Sequence, residues 1–330
     1  MRAAYYERQG TAADVLALGE LPDPQPGPGE VRVRIHVSGV NPTDIKGRTG
    51  FGGAPMPFSR IIPHQDGAGI IDAVGKGVSN SRLGERVWVY EAQAGRPGGT
   101  AAELTVVPSE RAVPLPNGVP FEIGASLGIS ALTAHRCLFA DGDLKGRRVL
   151  VQGGAGAVGT AAILLAKWAG AWVATTVSRP EQEDVVRAAG ADLIINRRTD
   201  DIAAKVRAAT NDAGVDRIIE VDVVANIEVD MACIAPSGVI SSYATENPAA
   251  KLSIPFLKAM FKGLVLRFVF VYSVPAAAKL EAIQDINNCM VAGAYHPAVG
   301  ACFPLDAIVE AHETQETGRV VGKVLVKVFS

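Results

Sequence analysis

The stretch Val149-Leu150-Val151-Gln152-Gly153-Gly154-Ala155-Gly156-Ala157-Val158-Gly159 decides the fold. From Arg148 to Val151 the chain is apolar after its first residue and β-branched at two positions, the pattern of a short strand covered on both faces. Gly154, Gly156 and Gly159 follow with G-x-G-x-x-G spacing. Ala157 to Trp168 is small and apolar and predicts a helix, with Gly170 marking its end. In a strand–turn–helix unit of this kind the first glycine permits the tight turn and the second lets the backbone approach a pyrophosphate. The third lets the helix pack against the strand, and the free N–H groups of the helix start face the anion. The strand before and the helix after supply the context that the motif requires.

Downstream, strands and helices alternate. Trp172 to Val177, Leu193 to Ile195, Arg217 to Val221 and Gly238 to Tyr243 read as strands. Pro180 to Ala189 and Asp201 to Ala209 read as helices. This order predicts parallel pairing with right-handed crossovers, hence a doubly wound sheet. Leu264 to Tyr272, apolar except at Arg267, predicts an edge strand open to a second subunit. A helix is expected around Pro275 to Val291, and a last strand over Val320 to Val328 that returns to the first domain.

Upstream, residues 1 to about 120 read as all-β. Val31, Val33, Ile35 and Val37 alternate with Arg32, Arg34 and His36 after a proline-rich loop, Pro22 to Gly29. Gly67 to Val74, Arg86 to Tyr90 and Ala102 to Val107 are further strands, and the texture turns helical over Phe121 to Phe139. Short strands with glycine and proline punctuation predict a small barrel-like domain.

The chain has 330 residues, of which 48% are hydrophobic and 20% charged, with a net charge of −2. That balance suits a globular protein and gives no electrostatic reason to capture nucleic acid or an anionic membrane. No run reaches the ~18 apolar residues of a membrane span, and the N-terminus lacks the apolar core of a signal peptide. The four cysteines, Cys137, Cys233, Cys289 and Cys302, are widely spaced and read as buried small hydrophobes in a reducing, cytoplasmic setting.

Taken in order, these pieces resemble the medium-chain dehydrogenase/reductase superfamily, and within it the zinc-independent NADPH:quinone oxidoreductases and zeta-crystallin. The resemblance rests on Gly39-Val40-Asn41-Pro42-Thr43-Asp44, His64-Gln65-Asp66-Gly67-Ala68-Gly69, Gly84-Glu85-Arg86-Val87, the glycine turn, Ala188-Ala189-Gly190-Ala191-Asp192 and Gly322-Lys323-Val324. It implies a GroES-like β-barrel domain (1–122 and 271–330) and a Rossmann NADPH-binding domain (123–270), in a family commonly dimeric or tetrameric, here expected as a homodimer. Metal-dependent relatives place a cysteine where this chain has Asn41 and a histidine where it has Gln65, and Glu91 to Leu115 lacks the structural cysteines; the resemblance therefore implies no metal site.

The second strand ends in Ser178-Arg179-Pro180 with no acid before Glu181, which favours a 2′-phosphate over a bare ribose hydroxyl, and so NADPH. By resemblance Arg197 faces the same phosphate, and Ala155, Ala157 and Val158 join the three glycines around the pyrophosphate. Also by resemblance, Asn41, Gly322 and Lys323 lie toward the nicotinamide, and Asn226, Ser242 and Tyr243 follow the fourth and fifth strands at the carboxyl ends where ligands of such sheets sit. Phe268 and Phe270 are read equally as cofactor contacts and as core or dimer edge. With no metal, the expected chemistry is hydride delivery to an electron-poor acceptor, a quinone or an α,β-unsaturated carbonyl. Asn41 is the first candidate donor to the acceptor oxygen, with Lys46 and Lys323 behind it. Phe51 is read as a substrate-facing or a core aromatic. Two alternatives remain: a reductase of another activated alkene, of 2-enoyl or haloacrylate type, and a non-catalytic NADPH-binding protein.

Overall fold

The computed structural model describes Met1–Phe329. It divides into two compact units, Met1–Ile129 with the segment from Val299 on, and Ser130–Ala298. Both junctions lie later in the chain than the expected 122/123 and 270/271. The second moves because the helix Ala276–Val291 belongs with the dinucleotide-type unit: it buries Ala282, Ile286, Cys289 and Met290, and its Asp285 accepts from His135 Nε2 at 2.9 Å.

The unit Ser130–Ala298 is built on a six-stranded parallel sheet. Its spatial order is Leu193–Asn196, Trp172–Val177, Arg148–Val151, Val215–Glu220, Ile234–Ser242, Val265–Phe268. The strand order reverses between Arg148–Val151 and Val215–Glu220, and ligands of such sheets sit outside the carboxyl ends at that reversal. Leu150, Ala174, Ile218 and Ile240, one from each of four adjacent strands, are fully buried beneath the crossover helices. The glycine-turn helix spans Ala157–Trp168, and Gly170 takes the left-handed conformation (φ 82°) that stops it. Arg267, the charge that interrupts the apolar edge strand, forks onto Asp141 at 2.7 and 2.5 Å.

In the other unit Glu30–Val40 is the central strand of a seven-stranded sheet. It pairs antiparallel with Asp66–Val74, Leu104–Pro108 and Lys323–Lys327, so the last strand returns to this unit as expected. The alternating Val31, Val33, Ile35 and Val37 face the core.

The all-β expectation needs correction, because Pro42–Thr49 is a helix. Pro42 sits at its first position, the Asp44 carboxylate accepts from Asn41 N at 2.7 Å, and Gly50 closes it in the left-handed region. Past residue 298 a parallel strand pair, Val299–Pro304 with Lys323–Lys327, encloses the helix Ile308–Thr317, which sequence reading did not resolve. Cys137, Cys233 and Cys289 are buried, whereas Cys302 is exposed, against expectation. Among the described residues no helix is long and apolar enough to cross a membrane.

Candidate functional site

The three motif glycines do different jobs. A Cβ on Gly154 would lie 1.9 Å from Thr175 Oγ1, and one on Gly159 would lie 2.4 Å from Gly153 O. Both positions are closed by the protein itself. A Cβ on Gly156 would meet nothing nearer than Gly153 O at 3.5 Å, and Gly156 has an ordinary extended backbone (φ −74°, ψ 164°). The fold therefore does not require glycine at 156; the space in front of it is a cradle that a side chain would fill. Thr160 N makes the first helical bond, to Gly156 O at 2.8 Å, so the N–H groups of Ala157, Val158 and Gly159 precede the helical ladder. No acid occupies the first turn. This is a site fit for a pyrophosphate. Ala155 is buried beside it.

At the end of the second strand the expected phosphate donors are partly engaged. Gln182 Oε1 accepts from Ser178 N (2.8 Å), Ser178 Oγ (3.2 Å) and Arg179 N (3.2 Å). Arg179 Nε pairs with Glu181 Oε1 at 3.2 Å. The Ser178 hydroxyl is engaged within the turn, because Gln182, one helical step into the next element, closes the turn on itself. Arg197 is exposed, and its N–H donates to Val177 O at 2.9 Å, which sets it beside the same strand end.

At the carboxyl ends of the fourth and fifth strands, Asn226 Nδ2 donates to Glu220 Oε1 at 2.9 Å. Ser242 is buried, and Tyr243 N donates to Glu220 O at 3.2 Å; burial pushes the Tyr243 phenol up. Phe268 and Phe270 are 69% and 65% exposed, so neither is a core residue.

In the unit Met1–Ile129, Asn41 lies in a buried polar cluster. Asn41 Nδ2 donates to Asp66 Oδ2 at 2.8 Å. Lys323 Nζ donates to Asn41 Oδ1 at 2.5 Å and to Asp66 Oδ2 at 3.1 Å. Ile129 N donates to Asp66 Oδ1 at 2.8 Å, an approach that Gly128 permits because a Cβ there would overlap that oxygen. Asn41 and Lys323 are therefore held by this unit's own carboxylate, where the resemblance had assigned them to a bound nicotinamide. The ammonium fixes the amide orientation, since a flipped amide would set N–H₂ against Lys323. Burial, and then the Asp66 charge, push the Asp44 carboxyl up to about 8. Gly322 has φ 102°, a backbone that only glycine adopts readily, and it aims the chain into this cluster. Asp66 was visible in the sequence as part of a motif, but nothing in its neighbours announced the lysine 257 positions away. Lys46 Nζ stands 4.4 Å from the ring centre of Phe51, so those two candidates form one cation–π pair.

His64 is fully buried, with Nδ1 2.8 Å from Ser38 Oγ and Nε2 3.0 Å from His312 Nε2. Burial pushes His312 down to about 3 and lowers His64 as well. Among the described residues no group of three His, Cys, Asp or Glu side chains is placed to hold a metal ion.

Comparison with known proteins accords with this arrangement. Residues 27–117 match the model of the alcohol dehydrogenase GroES-like domain, and residues 157–288 match that of the zinc-binding dehydrogenases. The quinone oxidoreductase of Rattus norvegicus is 30% identical over 295 residues, covering 88% of this chain and 86% of that protein. A solved NAD-dependent alcohol dehydrogenase superposes with a TM-score of 0.86 at 27% identity, covering all of both chains. The quinone oxidoreductase of Thermus thermophilus, solved also with NADPH, gives 0.82 at 27% identity over 99% of this chain and all of that one. With both sheets matched and a relative at this identity aligned over most of either length, the chain belongs to the quinone oxidoreductase family of the medium-chain dehydrogenases/reductases.

Proposed function

We propose that this protein is an NADPH-dependent reductase that delivers hydride to a quinone or an α,β-unsaturated carbonyl. The observation that carries the reading is the open space before Gly156, faced by the free N–H groups of a helix start at the reversal of the sheet. When bound, NADPH supplies the hydride. Gly154, Gly156, Gly159, Ala155, Ala157 and Val158 shape the pyrophosphate seat. Arg197, and Arg179 released from Glu181, hold the 2′-phosphate. Asn226, Ser242 and Tyr243 border the same carboxyl-end crevice. Lys46 is the candidate donor to a growing negative charge on the acceptor oxygen, and the Asn41 and Lys323 groups are engaged by Asp66. Phe51, stacked under that ammonium, offers an apolar face to a planar acceptor.

The test is cofactor discrimination measured alongside acceptor turnover. Wild-type protein should oxidise NADPH with quinones or with alkenals. Arg197→Ala and Arg179→Ala should each weaken NADPH by about tenfold or more, the effect of one charge-assisted bond, and leave NADH nearly unchanged. Equal losses for both cofactors would remove the phosphate assignment. Tight NADPH binding without turnover of any quinone or enone would favour the non-catalytic alternative.

A homodimer through the edge strand is part of the same reading. Val265–Phe268 pairs on one side only, with Ile234–Ser242. Around it Phe256, Leu257, Phe261 and Phe270 are 73%, 60%, 78% and 65% exposed. An open edge flanked by so much apolar surface is suited to self-pairing. Light scattering should give twice the chain mass for the wild type and a monomer for Phe261→Asp with Phe268→Lys; a monomeric wild type would refute the dimer.

A further inference from the structure

A second buried polar group lies under the glycine turn, and none of the chemistry above uses it. Glu220 ends the fourth strand, and Asp230 lies on the helix Val223–Cys233 that follows. Both side chains are fully buried, and their carboxyl groups lie close enough to act on each other. Neither Glu220 Oε2 nor Asp230 Oδ2 accepts from any donor. Two carboxyl groups buried together, each with an oxygen that no donor reaches, are stable only if one carries a proton, because two carboxylates have no hydrogen to share and repel in a low dielectric. The environment decides which one. Glu220 Oε1 accepts from Asp222 N at 2.5 Å and from Asn226 Nδ2 at 2.9 Å, and both bonds favour its charged form. Asp230 accepts only from Gln152 Nε2, at 3.0 Å. The proton therefore resides on Asp230, next to the Glu220 carboxylate.

The pair is wired to the turn. Gln152 is the residue just after the first strand, and its Oε1 accepts from Thr176 Oγ1 at 2.9 Å. Thr176 Oγ1 in turn accepts from Gly153 N at 2.9 Å. Gly153 holds a left-handed backbone (φ 69°) and begins the turn. Each donor in the chain Gly153, Thr176, Gln152, Asp230 points toward the same carboxylate, a one-directional arrangement in which the bonds reinforce one another. Its other end holds Asn226 and the start of the helix after the fourth strand. The chain thus spans the reversal point of the sheet.

We infer that Asp230 and Glu220 share one proton and act as a positioning unit that sets the glycine turn for dinucleotide binding, so that loss of this proton weakens the cofactor. The coupling to the cofactor rests on the function proposed above; the shared proton does not. The titratable groups facing the pair are Asp222, Tyr243 and Cys233, all neutral or negative. Asp201, Lys262 and Arg207 surround Cys233. Burial, and then the Glu220 charge, push Asp230 up to about 9. Above that pH the proton leaves for solvent and two carboxylates face each other. They must separate, and Gln152, Thr176 and Gly153 move with them. The native state holds a proton that the unfolded chain releases near 3.8, so the pair's contribution to stability falls as pH rises from there to about 9.

The experiment compares wild type with Asp230→Asn, whose amide donates to Glu220 and accepts from Gln152 at every pH. Infrared difference spectra of the cofactor-free protein at neutral pH should show a protonated-acid carbonyl band that D230N loses, apart from that of Asp44, which both proteins keep. By fluorescence titration the wild-type Kd for NADPH should rise about tenfold or more between neutral pH and a pH above about 9, while D230N changes by less than about twofold. Gln152→Leu, which cuts the link, should keep the acid band and lose the wild-type pH dependence; it serves if D230N fails to fold. Identical acid bands in wild type and D230N, or the same alkaline weakening in D230N, overturn the inference. An acid band that D230N removes, in a protein that binds NADPH at no pH, supports the shared proton and overturns both the coupling and the proposed function.

Discussion

Gly156→Val is expected to abolish dinucleotide binding while leaving the protein folded. The backbone at 156 lies in the extended region that valine adopts without strain, and its Cβ would point into open space. Stability should therefore change by no more than about 0.5 kcal/mol, as for other substitutions that touch nothing. The added side chain occupies the place where a pyrophosphate meets the helix start. Losing two charge-assisted N–H bonds at about 1.5 kcal/mol each predicts a Kd raised by about a hundredfold or more. Gly154→Ala is the contrasting control: its Cβ collides with Thr175 Oγ1, so the loss there is of stability first. Thermal melts and NADPH titrations of the two variants separate the cases, and retained affinity in G156V would show that the turn serves structure alone.

The second large effect belongs to the buried ion pair. Lys323→Met should cost about 3–5 kcal/mol of unfolding free energy, because it leaves the Asp66 carboxylate buried without its cation. It also removes the group that fixes the Asn41 amide. Combining Lys323→Met with Asp66→Asn should recover a large part of the loss, since the double variant buries no uncompensated charge. Urea unfolding measures both. A loss below about 1 kcal/mol in K323M would mean that solvent reaches Asp66 and that the cluster does not order the end of the strand Glu30–Val40.

Particular residues show how far sequence reading reaches. The strand, the turn and the helix Ala157–Trp168 appear at their expected bounds, because local glycine spacing and apolar patterning act within a dozen residues. The helix Pro42–Thr49 was missed although its signal was present: asparagine, proline and an acid at the capping spacing, hidden in a region read for strand alternation. Ser178 shows what residue type alone does not tell. Its residue type suits a phosphate, but Gln182 already takes its hydroxyl. Glu220 and Asp230 carried no signal at all, because a strand end and a helix interior meet only when the crossover folds back.

What the sequence determined by itself is the dinucleotide-type unit and its family, since both follow from short-range spacing that each local element satisfies independently. Which donors are free was decided by tertiary packing. A hydrogen bond occupies a group as soon as a partner arrives, and the partners of Asn41, Lys323 and Asp230 come from strands and helices remote in the chain or across a crossover.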